Sequence, residues 1–201
     1  MSNCVCLLSG GMDSTTLVTK LVRDGFSPTC VSFDYGQRHR KEIRYAARTA
    51  DKLQLRHLIL EAPIQSHSAL RGHSEIPQNL SPADSGQSPT VVPGRNLVLI
   101  SLAMTVGCGP VYVGCNADDA AVYPDCRPEF IKHLSLATQA AYGRSVEAPF
   151  VAMSKVDIYR LYVELGLKSN DSWSCYNGKG TPCGVCGPCI AIRGAKETCQ
   201  K

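Results

Sequence analysis

The chain has no apolar stretch long enough to cross a bilayer. Its longest hydrophobic run, residues 97–106, falls far short of the roughly 20 residues a spanning helix needs, and Ser101 and Thr105 interrupt it. A basic N-terminal patch is also missing. The opening Met-Ser-Asn-Cys-Val-Cys-Leu-Leu carries no Lys or Arg and runs into Ser9-Gly10-Gly11, where a secretory core would continue. No charge of one sign dominates: 21 Lys and Arg face 17 Asp and Glu, a net +4, and no basic run exceeds Arg38-His39-Arg40-Lys41. That is weak ground for nucleic acid. Low-complexity tracts and internal repeats are absent too. These absences together lead to the expectation of a cytoplasmic protein.

What is present fits one compact core with room for a small subdomain: 201 residues, 44% hydrophobic and 19% charged. Disordered, collagen-like and coiled-coil readings are excluded by that balance. Cysteine is plentiful, with 11 residues. In a chain with no secretory leader this points to a reducing compartment, and so to metal binding or catalysis before disulfides.

Short apolar segments at residues 4–8, 29–33, 55–60 and 111–115 read as buried strands, each bounded by turn residues. Helical patterns fall between them at 14–24, 37–53 and 96–106, with Asp34 and Arg95-Asn96 near the helix starts. Downstream lie a helix at 128–142, a strand at 146–151, a helix at 154–166 capped by Ser154, and a short helix at 190–198. The alternation predicts an α/β fold, a doubly wound parallel sheet, with ligands at the carboxyl ends of its strands. Residues 62–93, rich in Ser, Pro, Gly, His and Gln, break the pattern and are expected to form a mobile lid. From residue 170 the composition turns to Cys, Gly and Pro. The division is therefore an α/β domain over 1–169 and a Cys-rich segment over 170–201 packed on it.

Ser9-Gly10-Gly11-Met12-Asp13-Ser14 stands directly between the first strand and the first helix. Two glycines let the backbone turn sharply and approach an anion, and the following helix offers unpaired N–H groups and the positive end of its dipole. The motif lacks the Lys of a Walker A loop and the spacing of a dinucleotide fingerprint. Near the other end, Cys175 and Cys183-Gly184-Val185-Cys186-Gly187-Pro188-Cys189 supply four thiolates that can close a tetrahedral site. Zinc leads and an iron–sulfur cluster is the rival, although no Cys-Pro follows Cys189 at the ferredoxin spacing. Cys199 reads as a non-ligand thiol. Cys4, Cys6, Cys30, Cys108 and Cys115 read as small buried hydrophobes.

The loop at 9–14 resembles the pyrophosphate (PP) loop, S-G-G-x-D-S, of the ATP pyrophosphatases. Those enzymes cleave ATP between the α and β phosphates and adenylate a substrate oxygen. Further words appear in order: Asp34-Tyr35-Gly36-Gln37-Arg38-His39, Pro93-Gly94-Arg95-Asn96, Tyr123-Pro124-Asp125-Cys126-Arg127 and Trp173-Ser174-Cys175-Tyr176. With the loop and the cysteine knuckle, they are similar to the 7-cyano-7-deazaguanine synthases of queuosine precursor synthesis, from residue 5 to about 193.

That resemblance implies an adenine nucleotide α-hydrolase-like sheet with a C-terminal zinc knuckle. The reaction it implies turns 7-carboxy-7-deazaguanine and ammonia into a nitrile through an amide, using ATP with Mg²⁺. ATP is then expected on Leu8, Ser9, Gly10, Gly11, Met12, Asp13, Ser14, Thr15, Thr16, Leu17 and Val18. One structural zinc is expected on Cys175, Cys183, Cys186 and Cys189. Lys155, in a stretch similar to the second lysine motif of related synthetases, joins Asp13 as a catalytic candidate; the plainer reading is a solvated lysine. Arg95, Asn96, Asp118, Asp119, Asp125 and Trp173 with Tyr176 are candidates for substrate or Mg²⁺ contact, against plainer roles as cap, turn acids and packing. Arg38 to Lys41 reads as a solvated helix face. The expected partners are small molecules, with no nucleic acid and no membrane, and a homodimer is the assembly to test. Two rival readings share these motifs: a tRNA-thiolating pyrophosphatase, and a zinc-knuckle binding module without catalysis.

Overall fold

The computed structural model describes residues 2–72, 74–79 and 89–200. Five strands form one parallel sheet: β1 (Ser2–Leu7), β2 (Phe26–Asp34), β3 (His57–Glu61), β4 (Val111–Tyr112) and β5 (Val146–Glu147), in the order β3-β2-β1-β4-β5. The helices are α1 (Met12–Arg23), α2 (Lys41–Lys52), α3 (Arg95–Met104), α4 (Ala117–Val122), α5 (Pro128–Tyr142), α6 (Lys155–Glu164) and α7 (Gly187–Cys199). The chain winds outward from β1 to β3, then returns to place β4 on the other side of β1. A crevice therefore opens at the carboxyl ends of β1 and β4, the switch point where ligands of doubly wound sheets bind.

Because successive strand residues face opposite ways, β1 feeds two cores. Val5 packs with Val31, Val111 and the α3 residues Leu99, Ile100 and Ala103. Cys4 and Cys6 pack with Cys30 and with Leu17, Val18, Ala46 and Ile158 from α1, α2 and α6. Burial pushes the thiols of Cys4 and Cys30 up to about 11 and about 12, so they remain neutral apolar groups. The Cys-rich segment shares the first core, to which Trp173, Cys175 and Cys186 belong. Ser154 caps α6 in a reciprocal box with Asp157.

Several expectations are corrected. Residues 117–122, read as loop, form α4, capped by Asn116, whose side chain accepts from Asp119 N at 2.9 Å. α2 starts at Lys41 and not at 37, because the Gln37 side chain is held by Phe33 O and Tyr35 N in a turn. β4 and β5 are two-residue strands, shorter than predicted, and α7 begins three residues early, at Gly187. Cys108 is exposed. The basic run is a solvated face only in part: Arg38 and Arg40 are exposed, whereas His39 is buried and the Lys41 ammonium sits 3.6 Å over the Trp173 ring. The described part of 62–93 is packed wall and not a free lid. Ala62, Ile64, Ala69, Leu70, Ile76 and Val92 are core residues, and Asn79 N donates to Val185 O at 2.9 Å beside a Gln78–Cys186 bridge. Residues 73 and 80–88 of that segment lie outside the described residues. Among the described residues no helix is long and apolar enough to cross a membrane.

Candidate active site and metal centre

A cavity of about 570 Å³ opens at the switch point, lined at one end by Leu8, Ser9, Gly11, Asp13, Ser14 and Lys155. Gly10 carries φ +91°, and a Cβ there would lie 2.0 Å from Glu42 O and 2.7 Å from Ala46 N. Only glycine lets the loop pass beneath the first turns of α2. Serines hold the loop N–H groups: Gly11 N donates to Ser9 Oγ at 3.1 Å and Gly10 N to Ser14 Oγ at 3.3 Å. The N-cap of α1, Gly11, has no side chain to cap the helix. Met12 N donates instead to Ser174 Oγ at 3.1 Å, and Trp173 N to Gly10 O at 2.8 Å. The C-terminal segment thus braces the loop from outside. A curved row of backbone and hydroxyl donors at a helix N-terminus is equipped to receive phosphate oxygens.

Lys155 enters from the first turn of α6. Burial by itself would lower its pKa, but Asp13 and Asp119 outweigh that and hold the ammonium charged well above the ordinary lysine range. Asp118 Oδ2 accepts from Lys155 N at 2.8 Å, and Asp119 Oδ2 from Asn116 Nδ2 at 2.7 Å. Burial raises the Asp119 carboxyl to about 6 against the pull of Lys155.

The opposite end of the cavity is aromatic and polar. Tyr35, His39, Glu42, Thr90, Arg95, Asn96, Tyr123, Cys126 and Tyr176 line it, with Ile76 and Pro77. Tyr123 Oη lies 3.2 Å from Tyr176 Oη and 2.9 Å from Thr90 Oγ1, and the Arg95 guanidinium sits 5.9 Å over the Tyr123 ring. Burial opposes the charge on Arg95, yet Tyr35, Tyr176 and Asp125 raise its pKa further. Asn96 is an anchor and not a cap: Asp125 Oδ2 accepts from its N–H at 2.9 Å, and its Nδ2 donates to Asp125 O at 3.0 Å.

The cavity therefore gathers Leu8, Ser9, Gly11, Asp13, Ser14, Lys155, Arg95, Asn96, Asp118, Asp119 and Tyr176 from the expected set. Gly10 and Met12 shape the loop from behind. Thr15, Thr16, Leu17 and Val18 are buried on α1. Asp125 and Trp173 do not line the cavity; Trp173 packs against Tyr45 at 5.8 Å between ring centres. Sequence reasoning missed Tyr35, His39, Glu42 and Ser174. Three of them lie in or beside the words that carried the resemblance, but nothing in their spacing announces a cavity.

The Sγ atoms of Cys175, Cys183, Cys186 and Cys189 lie within 4.8 Å of one another. Four thiolates around one ion at about 2.3 Å stand about 3.8 Å apart, so the cluster can hold a single metal ion with little adjustment. Cys183 N donates to Cys175 Sγ at 3.3 Å and Cys186 N to Cys183 Sγ at 3.4 Å, so backbone donors already orient the sulfurs.

The chain is similar to proteins of one family. The family model described as queuosine biosynthesis protein QueC matches residues 3–198. The 7-cyano-7-deazaguanine synthase of Marinomonas sp. (strain MWYL1) is 37% identical over 195 residues, 92% of this chain and 89% of that protein. That of Archaeoglobus fulgidus is 39% identical over 197 residues, 92% of this chain and 82% of that protein. Among solved structures, the U34-tRNA thiolase NcsA of Methanococcus maripaludis has a TM-score of 0.51 at 14% identity, covering 99% of this chain and 73% of that one. That likeness speaks for the fold alone. A family match over nearly the whole chain, with relatives at these identities, establishes that the chain belongs to the QueC family of queuosine biosynthesis proteins.

Proposed function

We propose that this chain converts 7-carboxy-7-deazaguanine and ammonia to 7-cyano-7-deazaguanine at the expense of two ATP. The observation that carries this reading is one cavity holding both a loop suited to phosphate with a charged lysine and a wall of aromatic and polar groups. In the first half-reaction a carboxylate oxygen attacks the α-phosphorus, pyrophosphate leaves, and ammonia displaces AMP to give the amide. In the second, the amide oxygen attacks the α-phosphorus of another ATP, pyrophosphate leaves, and loss of AMP and the two N–H protons leaves the nitrile. A carboxylate or amide oxygen is a poor leaving group until adenylated, which is why both steps need ATP.

The residues divide the work. Loop N–H groups and the hydroxyls of Ser9 and Ser14 would take the phosphates, and Lys155 would meet negative charge gathering on departing pyrophosphate. Asp13, with Asp118 and Asp119 nearby, would hold the Mg²⁺ that accompanies ATP. Arg95 would attract the substrate's anionic side. For the cysteine cluster we favour zinc, which would tie Cys175, Cys183, Cys186 and Cys189 together and add folding free energy without entering the chemistry. A cubane cluster puts its thiolates on separate irons and calls for wider spacing than 4.8 Å. The partners are read as small molecules only.

Incubation with ATP, ammonium and 7-carboxy-7-deazaguanine tests the proposal. Mass spectrometry should find the nitrile with two AMP for each substrate consumed. No AMP, or AMP that does not depend on the carboxylate, overturns it.

A further inference from the structure

The adenylation chemistry assigns the phosphate loop and Lys155, and it leaves one acidic group in the cavity wall, packed through its backbone against Gly10, without a task. Glu42 stands in the first turn of α2, is 9% exposed and lines the cavity. A carboxyl is seldom buried unless a partner repays the lost hydration. Its neighbours do not fully do so. His39 Nε2 is 3.4 Å from Glu42 Oε1, and His39 Nδ1, itself buried, has no hydrogen-bond partner. The other groups facing Glu42 are Gln37 from the turn before α2, whose side chain hydrogen-bonds it, Tyr35 just past β2 and Arg95 from α3.

Burial governs the charge of both groups. Burial raises the Glu42 carboxyl to about 8, with Arg95 and Gln37 only partly offsetting it. Burial, then Arg95, lowers His39 to about 3. The close contact is therefore between a neutral imidazole and a largely protonated carboxyl, not an ion pair. Aromatic groups complete the surround: the His39 and Tyr176 rings are 5.2 Å apart, and Tyr176 meets Tyr123 through their hydroxyls. The acids that the sequence suggested for heterocycle contact are already engaged. Asp118, Asp119 and Asp125 each have an oxygen held by an N–H of Lys155, Asn116 or Asn96.

We propose that Glu42 is the specificity-determining residue for the heterocycle, releasing its proton to solvent as the base binds so that its carboxylate accepts the ring N–H and the exocyclic amino N–H of a guanine-like edge. This rests on the substrate class proposed above. Two parallel N–H donors match two carboxylate oxygens, and such bidentate pairing to a charged acceptor is the stronger kind of hydrogen bond. A site built around that acceptor penalises a base lacking the amino group by about 10- to 100-fold.

Binding calorimetry with 7-carboxy-7-deazaguanine and its 2-deamino counterpart tests this without requiring turnover. The parent should prefer the amino compound by about 10-fold or more, and Glu42→Gln, of the same shape, should shrink that preference to within about 3-fold. ATP affinity of the variant, measured by the same titration, should stay at the parent value. A parent with no preference overturns the inference whether or not the variant folds. So does a variant that keeps the preference, or one that loses ATP affinity in step with it, which would put Glu42 at the adenine. Preferential binding through Glu42 in a protein that releases no AMP would uphold the inference while sinking the proposed reaction.

Discussion

Lys155 Nζ lies 2.8 and 2.7 Å from the two carboxylate oxygens of Asp13, although 142 positions separate the residues in the chain. A lysine in the first turn of a helix works against the helix dipole. Here the cost is offset, because α6 delivers the ammonium to the carboxylate at the start of α1 and Asp118 takes the Lys155 backbone N–H. The pair keeps a cation beside the phosphate loop, half-buried and charged.

Lys155→Met should slow AMP formation about 100-fold, the scale of losing one preorganised group that meets transition-state charge. The second activation should suffer more, since an amide oxygen is the weaker nucleophile. The 7-amido intermediate should then accumulate and AMP per substrate should fall from about two toward one. Chromatography of the products reads both. Residual product that is all nitrile would show that Lys155 does not distinguish the steps.

Ser174→Ala removes the acceptor for Met12 N. Loss of a helix-capping acceptor typically costs about 1 kcal/mol, and the nucleotide-free protein should melt correspondingly lower. Saturating ATP should narrow the gap, because phosphate would satisfy the same N–H. Thermal melts with and without ATP check this; an equal gap in both would mean that the brace and the phosphate do not share that donor.

Cys186→Ser should strip bound metal and lower stability, since Cys186 is fully buried and joins the knuckle to the first core. Elemental analysis should find one zinc per parent chain and none in the variant. Iron with visible absorbance in the parent would replace zinc with a cluster.

Two buried groups, His39 and Glu42, contribute to the pH dependence of the nucleotide-free protein in opposite senses, and Asp119, raised to about 6, adds to the Glu42 sense below that value. His39 is lowered from 6.5 to about 3, so between those values the unfolded chain binds more protons and stability rises with pH. Glu42 is raised from 4.5 to about 8, so between those values the folded protein binds more and stability falls as pH rises. The two oppose each other from about 4.5 to 6.5, leaving a declining limb from about 6.5 to 8 that belongs to Glu42. Denaturant titrations across that range should show the decline in the parent and a flatter profile in Glu42→Gln. An unchanged slope would remove Glu42 as its source.

The alternation of short apolar segments with helical patterns was enough to predict a doubly wound parallel sheet, because buried strands and amphipathic helices imprint their periods locally. Ser9 to Ser14 and the four cysteines were legible for the same reason: a phosphate loop and a metal knuckle are built from neighbours in the chain. α4 was not legible, since its six residues, 117–122, are too few to show a period and its start depends on the Asn116 cap. Neither was the packing of the 62–93 segment, which is fixed by distant contacts such as Asn79 with Val185. Which of the remaining acids line the cavity was decided by the tertiary structure alone. Asp125 and Glu42 look alike in sequence, but the first is spent on Asn96 while the turn of α2 over Gly10 carries the second into the cavity. Spacing along a chain sets local conformation, whereas burial and partners arise only when segments from across the sequence close around the same space.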